Sequence, residues 1–293
     1  MASMYRLLDL VMNFSKIQYE QIITPFAIAE VGVSPESAWL GHIPFARWLV
    51  EAVKPQTIVE LGTHKGASFI AFCEALIELG LPGKIHAVDT WEGDEHAGFY
   101  GEDVYQSVLD LVRNRAPETG RLHRMTFDEA RSDFQEGSVD ILHIDGLHTY
   151  DAVRHDFELW KSTVADGGVI LFHDISERKD DFGVWKLWDE VKEGRPSFEF
   201  HHCHGLGVLG IGTEFPSSLE KLFLADGDKE RAAAFRKQFE LIGSRFELQQ
   251  DVTMKENQIN LLKTEIANLH GSKSWKVTEP LRYIDTMLKR FTS

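Results

Sequence analysis

A doubly wound α/β domain is the fold class this sequence predicts, and three observations carry the prediction. From residue 56 to about 212, short β-rich runs alternate with amphipathic segments of helix length. Several of the runs are almost wholly apolar, as strands covered on both faces of a parallel sheet must be. The last two runs are joined only by Cys203, His204 and Gly205. That link is too short for a crossover, so they pair as an antiparallel hairpin at the sheet edge. The expected sheet has seven strands, at 57–61, 84–89, 121–125, 139–144, 168–173, 198–202 and 206–211. Helices are expected between them at 68–79, 103–115, 128–134, 150–164 and 182–193, and right-handed crossovers place them on both faces.

Three regions follow: a helical cap at 1–55, the α/β domain at 56–214 and a helical extension at 215–293. In the cap, residues 44–53 carry Phe45, Trp48, Leu49 and Ala52 on one face, and Pro44 suits the first helical position. In the extension, residues 226–269 read as a long polar helix, apolar at Phe235, Phe239, Ile242 and Phe246, then at Val252, Ile259, Leu262, Ile266 and Leu269. The register slips between Phe246 and Val252. That slip suits a short helical hairpin or an imperfect coiled coil better than a continuous zipper. An amphipathic helix packed on its own domain fits equally well. A turn at 270–272 leads into SWKVTEPLR at 274–282 and a last amphipathic helix.

Composition narrows the function class. The 293 residues hold 31 Lys and Arg against 46 Asp and Glu, a formal net charge of −15, which disfavours nucleic acid held through its phosphates. Small-molecule or protein partners are favoured instead. Cys73 and Cys203 are too few for a disulfide framework or a cysteine-rich zinc site, a pattern that suits a reducing compartment. No apolar run approaches the roughly 20 residues of a membrane helix. The opening MASMYRLLDLVMNFSK lacks the basic start and cleavage site of a signal peptide, so a cytoplasmic location is expected.

The first strand runs into Glu60-Leu61-Gly62-Thr63-His64-Lys65-Gly66-Ala67-Ser68 and then a helix. Gly62 permits a tight turn and close backbone approach to a ligand, while the helix start offers free N–H groups. The run lacks the third glycine of a dinucleotide fingerprint and the Gly-Lys-Ser/Thr ending of a phosphate loop. Glu60 would repel a pyrophosphate but could accept hydrogen bonds from a cationic or hydroxyl-bearing ligand. Asp89, at the end of the second strand, is placed to bind ribose hydroxyls, and Trp91 could offer a face to a base. Together these favour a nucleoside ligand without a pyrophosphate.

Four motifs carry a resemblance: Glu60-x-Gly62-x-x-x-Gly66, Asp89-Thr90-Trp91-Glu92-Gly93-Asp94, Ile144-Asp145-Gly146-Leu147-His148-x-Tyr150, and Asp166-Gly167-Gly168 with Phe172-His173-Asp174. They resemble class I S-adenosylmethionine (SAM)-dependent methyltransferases, whose sheet is Rossmann-like. Within these they are most similar to the metal-dependent sugar O-methyltransferases, the group of macrolide-sugar methyltransferases and cephalosporin-hydroxylase-like proteins. The resemblance spans residues 56–212. It implies that Glu60, Gly62, Thr63 and the loop through Ser68 surround the methionine part of SAM. It also implies that Asp89, with Trp91 beside it, binds the ribose and that the turn at Thr126-Phe127 borders the adenine. His148 would be the catalytic base.

Asp145 ends the fourth strand and His173-Asp174 ends the fifth, so all three emerge at the carboxyl edge that holds the cofactor loop. As a set they suit a divalent cation, magnesium first and manganese as the alternative. The related enzymes carry an acidic or amide residue where His173 stands. Another reading is that Asp145 binds only the amine of SAM and His173 joins a hydrogen-bond network. A sugar hydroxyl is a poor nucleophile until its proton is removed. An imidazole can take that proton near neutral pH, and a cation on the same oxygen eases the removal. Tyr150 and Asp151 read as a helix start, and His201, His202 and His204 as structural.

The 274–282 segment is similar to a short stretch near the ends of bacterial surface-polysaccharide enzymes, which favours a sugar or glycan acceptor. It could also dock on the inner face of the membrane or on a partner enzyme. The helical extension makes a homo-oligomer plausible. The competing class is a catalytically inactive methyltransferase-fold scaffold in a polysaccharide assembly complex.

Overall fold

The computed structural model describes residues 21–29, 32, 34–96, 98–282 and 284. The opening segment 1–20 and the last helix beyond 284 therefore lie outside the described residues. Contacts divide the chain into two compact units, Met1–Glu247 and Leu248–Ser293.

The first unit is built on a seven-stranded sheet of order β5-β2-β1-β6-β7-β9-β8. The strands are β1 (Thr57–Leu61), β2 (Lys84–Asp89), β5 (Gly120–Arg124), β6 (Val139–Ile144), β7 (Val164–His173), β8 (Ser197–Phe200) and β9 (Leu206–Gly210). All pairings are parallel except β7 with β9 and β8 with β9. The expected hairpin is present, with its second strand inserted beside β7 and its first at the edge. Two short strands, β3 (Gly93–Asp94) and β4 (Gly98–Phe99), form a separate antiparallel ladder that the sequence does not announce.

Helices α1 (Ile43–Val53), α2 (Ala67–Glu78) and α3 (Glu102–Arg115) pack with α7 (Ser217–Asp226) in one core. Helices α5 (Tyr150–Trp160) and α6 (Val184–Val191) pack in the other, with the short α4 (Phe127–Ala130). Ile58, Ile85, Ile141 and Val169 line the first core and their strand neighbours Val59, Val88, Leu142 and Ile170 the second, as alternation across a pleated sheet demands. Strand β7 starts four residues ahead of the expected 168, because Val139 pairs with Val164 while Ile141 pairs with Val169, an irregularity that takes up three extra residues of β7.

The helical hairpin expected in the extension is corrected. Helix α8 runs without a break over Lys229–Gly271. The slip in apolar register changes which face is apolar but leaves the backbone ladder intact, and no proline interrupts it. Within the first unit, Phe235, Phe239 and Phe246 of α8 are buried in the core with α1. Gly243 lets α8 close on Gly41, since a Cβ there would stand 2.1 Å from the Gly41 carbonyl oxygen. Ser272 then caps α9 (Lys273–Val277), and no described helix is long and apolar enough to cross a membrane.

Candidate active site

Register alone brings four distant turns to one edge. Leu61 pairs with Val88 on one side and Ile144 on the other, and Ile144 pairs with Phe172. Gly62, Asp89, Asp145 and Asp174 therefore leave the sheet at neighbouring points, the place where open α/β sheets bind ligands. Gly62 holds φ +88°, and a Cβ on it would stand 2.1 Å from the Asp145 carbonyl oxygen, so glycine is required where the first loop crosses the end of β6. A cavity of about 280 Å³ opens there, lined by Gly62, His64, Asp89, Thr126, Phe127, Asp145 and His148 among others.

Behind the cavity, Glu60 is fully buried. It accepts hydrogen bonds from Thr63 Oγ1 at 2.9 Å and Ser68 Oγ at 2.5 Å, and lies 3.0 Å from His143 Nδ1. Asp89 accepts from the backbone N–H groups of Thr63 (2.9 Å), His64 (3.0 Å) and Trp91 (2.7 Å), so it ties the glycine loop to the end of β2 while still lining the cavity. The indole of Trp91 is fully buried, donates to the His64 carbonyl at 3.0 Å and packs against Tyr105. Gly62, Asp89, Thr126, Phe127 and Asp145 thus stand at the cavity wall. Glu60, Thr63, Ser68 and Trp91 lie beneath it and brace the loop, which corrects the expectation that Trp91 faces a base. The turn at Thr126 is set by a capping box with Glu129.

At the other end four titratable side chains converge. His173 Nδ1 lies 3.2 Å from both Asp145 Oδ1 and Asp174 Oδ2, and its Nε2 donates to the Cys203 carbonyl at 3.0 Å. His148 Nε2 lies 2.9 Å from Asp174 Oδ2 and 3.5 Å from Asp145 Oδ1. Asp174 takes a left-handed φ of +62°, tolerable for aspartate, which turns the chain sharply at the end of β7. Burial opposes every charge here, but the pairings outweigh it. Asp145 and Asp174 are held well below the usual carboxylate range, chiefly by the His173 charge. His173 is raised well above the usual imidazole value, and His148 is raised to about 9 by both carboxylates. Donor atoms of Asp145, His148 and Asp174 all lie within 4.8 Å of one another.

Sequence reasoning missed what holds His148. Its ring stacks on Phe182 at 4.9 Å and 2°, and Phe182 stacks in turn on His96 at 4.5 Å and 18°. His96 Nε2 meets Asp181 at 2.7 Å, and the Gly183 N–H donates to the His148 carbonyl at 2.8 Å. The buried Nδ1 of His148 has no hydrogen-bond partner among the described residues. Tyr100, Asp94 and His64 also line the cavity. His64 lay in the glycine loop and Asp94 in the Asp89–Asp94 motif, neither with a role of its own, and Tyr100 lay in no motif. Burial and Lys65 lower the His64 imidazole.

Residues 59–175 match the sequence profile of a family described as a methyltransferase domain. The uncharacterized protein y4gI of Sinorhizobium fredii (strain NBRC 101917 / NGR234) is 47% identical over 197 residues, which is 67% of this chain. The chain spans only 22% of that relative's length. Similar solved structures include the O-methyltransferase TomG from Streptomyces achromogenes, involved in tomaymycin synthesis and solved with SAM (14% identity, 70% of this chain, 96% of that one, TM-score 0.44). Another is the SAH-bound Podospora anserina methyltransferase PaMTH1 (12% identity, 71% of this chain, 96% of that one, TM-score 0.46). These distant likenesses add no weight to the reading of the site. The sheet is a mostly parallel, Rossmann-like α/β sheet, and the profile match over its first five long strands supports a methyltransferase domain at residues 59–175.

Proposed function

We propose that the chain is a SAM-dependent O-methyltransferase whose acceptor is a sugar hydroxyl, in bacterial surface polysaccharide or glycoconjugate synthesis. The observation that carries the chemistry is His148, with Nε2 on Asp174, an unpartnered buried Nδ1 and a place on the cavity wall beside Asp145. In the neutral ring, with the Nε2 hydrogen donated to Asp174, the Nδ1 lone pair would be left for a hydroxyl proton; the carboxylates raise His148 to about 9, so the base role calls for alkaline pH or a cation whose charge lowers that value. SAM supplies a methyl group on a positively charged sulfur. His148 Nδ1 would accept the hydroxyl proton of an acceptor held on the cavity wall. The residues fit such a ligand: Asp89 for ribose hydroxyls, the Thr126–Phe127 turn for the base, the Gly62 loop for the methionine part and Asp145 for its amine.

A divalent cation fits the same end. Two carboxylates suit magnesium or manganese, and His173 is arranged as imidazole ligands usually are, one nitrogen toward the carboxylates and the other donating to a backbone carbonyl. Asp145, His173 and Asp174 would hold it, and it would lower the pKa of the acceptor hydroxyl and fix the line of attack. The test is transfer of labelled methyl from SAM to sugar acceptors, with and without a chelator. The expected result is product that falls with chelation and with His148→Ala. Transfer unchanged by both would defeat this mechanism and leave the SAM reading standing. Calorimetry with SAM separates the enzyme from an inactive scaffold, which should show no heat of binding.

A further inference from the structure

Within the second unit, α8 carries an apolar stripe that nothing in the described structure covers. Leu248, Val252, Ile259, Leu262, Ile266 and Leu269 are each between 50 and 64 % exposed. Their spacing is a heptad: Val252, Ile259 and Ile266 take every a position, and Leu248, Lys255, Leu262 and Leu269 take the d positions. This stripe is not a continuation of the core-facing one. A 3–4 spacing carried on from Phe246 would reach Gln249, Gln250 and Thr253, all polar.

We propose that residues 248–271 pair with the same segment of a second copy of this chain as a parallel two-stranded coiled coil. The residue types select that occupant. β-branched side chains at every a with leucine at the d positions is the composition of parallel dimers. The one polar seam residue, Lys255, has acids on both flanks, Asp251 at g and Glu256 at e. In the parallel, in-register pair Lys255 lies opposite the same lysine of the second copy, with Glu256 of the facing helix beside it to offset the like charge, whereas an antiparallel pair sets each lysine against an a-position Val or Ile. A lone polar seam residue of this kind costs stability and fixes register. A helix this polar gains little from its own propensity in water, and burying six large apolar side chains per copy supplies what it lacks.

The test uses the full chain in analytical ultracentrifugation over a range of concentrations. The expected result is a reversible dimer. Ile259→Asp with Leu262→Asp should raise its dissociation constant by about a hundred-fold or more with helicity at low concentration unchanged. Lys255→Leu should tighten it, and Asn257→Asp at the outward f position should leave it alone. Val252→Cys should cross-link two copies on oxidation, beyond any cross-linking of the parent through Cys203, as only the parallel arrangement allows. A chain that stays monomeric at high concentration, a dimer indifferent to the seam changes, or a failure of Val252→Cys to cross-link would each overturn the proposal.

Discussion

The two ends of the cavity hold their carboxylates by different means. At the loop end, Asp89 takes three backbone N–H groups and Glu60 two hydroxyls and an imidazole, all from residues that the fold places regardless of ligand. At the other end, Asp145 and Asp174 lean on His148 and His173, whose charge depends on pH. The backbone N–H and hydroxyl donors at the loop end carry no charge to lose, whereas both partners at the other end are imidazoles. The loop end is thus held mainly by uncharged donors, and on the proposed function the histidine end is the centre that responds to pH and to cations.

The largest expected effect lies at the reactive end. His148→Ala should lower methyl transfer by about 10²–10⁴-fold, the usual worth of a positioned base, while SAM affinity measured by calorimetry stays near that of the parent. A parallel loss of SAM binding would make His148 part of the cofactor site and erase the distinction between the two ends. Glu60→Ala should act the other way round. It strands Thr63, Ser68 and His143 around a buried hole and should cost about 3 kcal/mol in denaturant unfolding, with SAM affinity falling as the loop loosens. Wild-type stability in that variant would mean that Glu60 braces nothing.

The pH response separates the ends next. His148 and His173 have folded values above the unfolded imidazole value, so their contribution is complete below about 6.5 and is lost as pH rises toward about 9 for His148. Asp145 and Asp174 are depressed, so theirs is present above the unfolded carboxylate value and lost at lower pH. Cation-free protein should lose on the order of 2 kcal/mol between pH 6.5 and 9.5, read as a falling Tm. Adding magnesium or manganese should flatten that slope, and His148→Gln should shrink it. A Tm that is flat across this range would show that the two ends do not differ.

How much of this was legible depends on sequence distance. Seven strands announced themselves because each apolar run is local, and Asp89, Asp145 and Asp174 could be placed because a strand end is a local feature too. Glu60 was legible as a site residue but not as a brace, since its partner His143 sits on another strand. Trp91 was read outward because nothing local reveals that Tyr105 and the His64 carbonyl enclose it. The His96–Phe182–His148 stack joins three loops and has no periodicity to detect, and β3 and β4 are too short to show any. The break read into α8 came from treating a change of apolar face as a change of backbone.

The smallest effect is a third kind of buried carboxyl, one held by neither means. Asp156 on α5 lies under the Asp145–His148 turn, its Oδ2 within 3.5 Å of where a Gly146 Cβ would stand. Burial pushes it up to about 7, only partly relieved by the His155 charge. Its folded value is above its unfolded one, so the folded state binds the extra proton and loses stability as pH rises from about 4 through about 7. Asp156→Asn removes the charge but keeps a buried polar group, so only part of that loss returns. The variant should unfold like the parent at pH 5 and gain about 1 kcal/mol at pH 8. A gain equal at both pH values would assign the effect to packing, and a loss at pH 8 would mean that the ionised carboxylate has a partner, returning Asp156 to the class of Glu60 and Asp89.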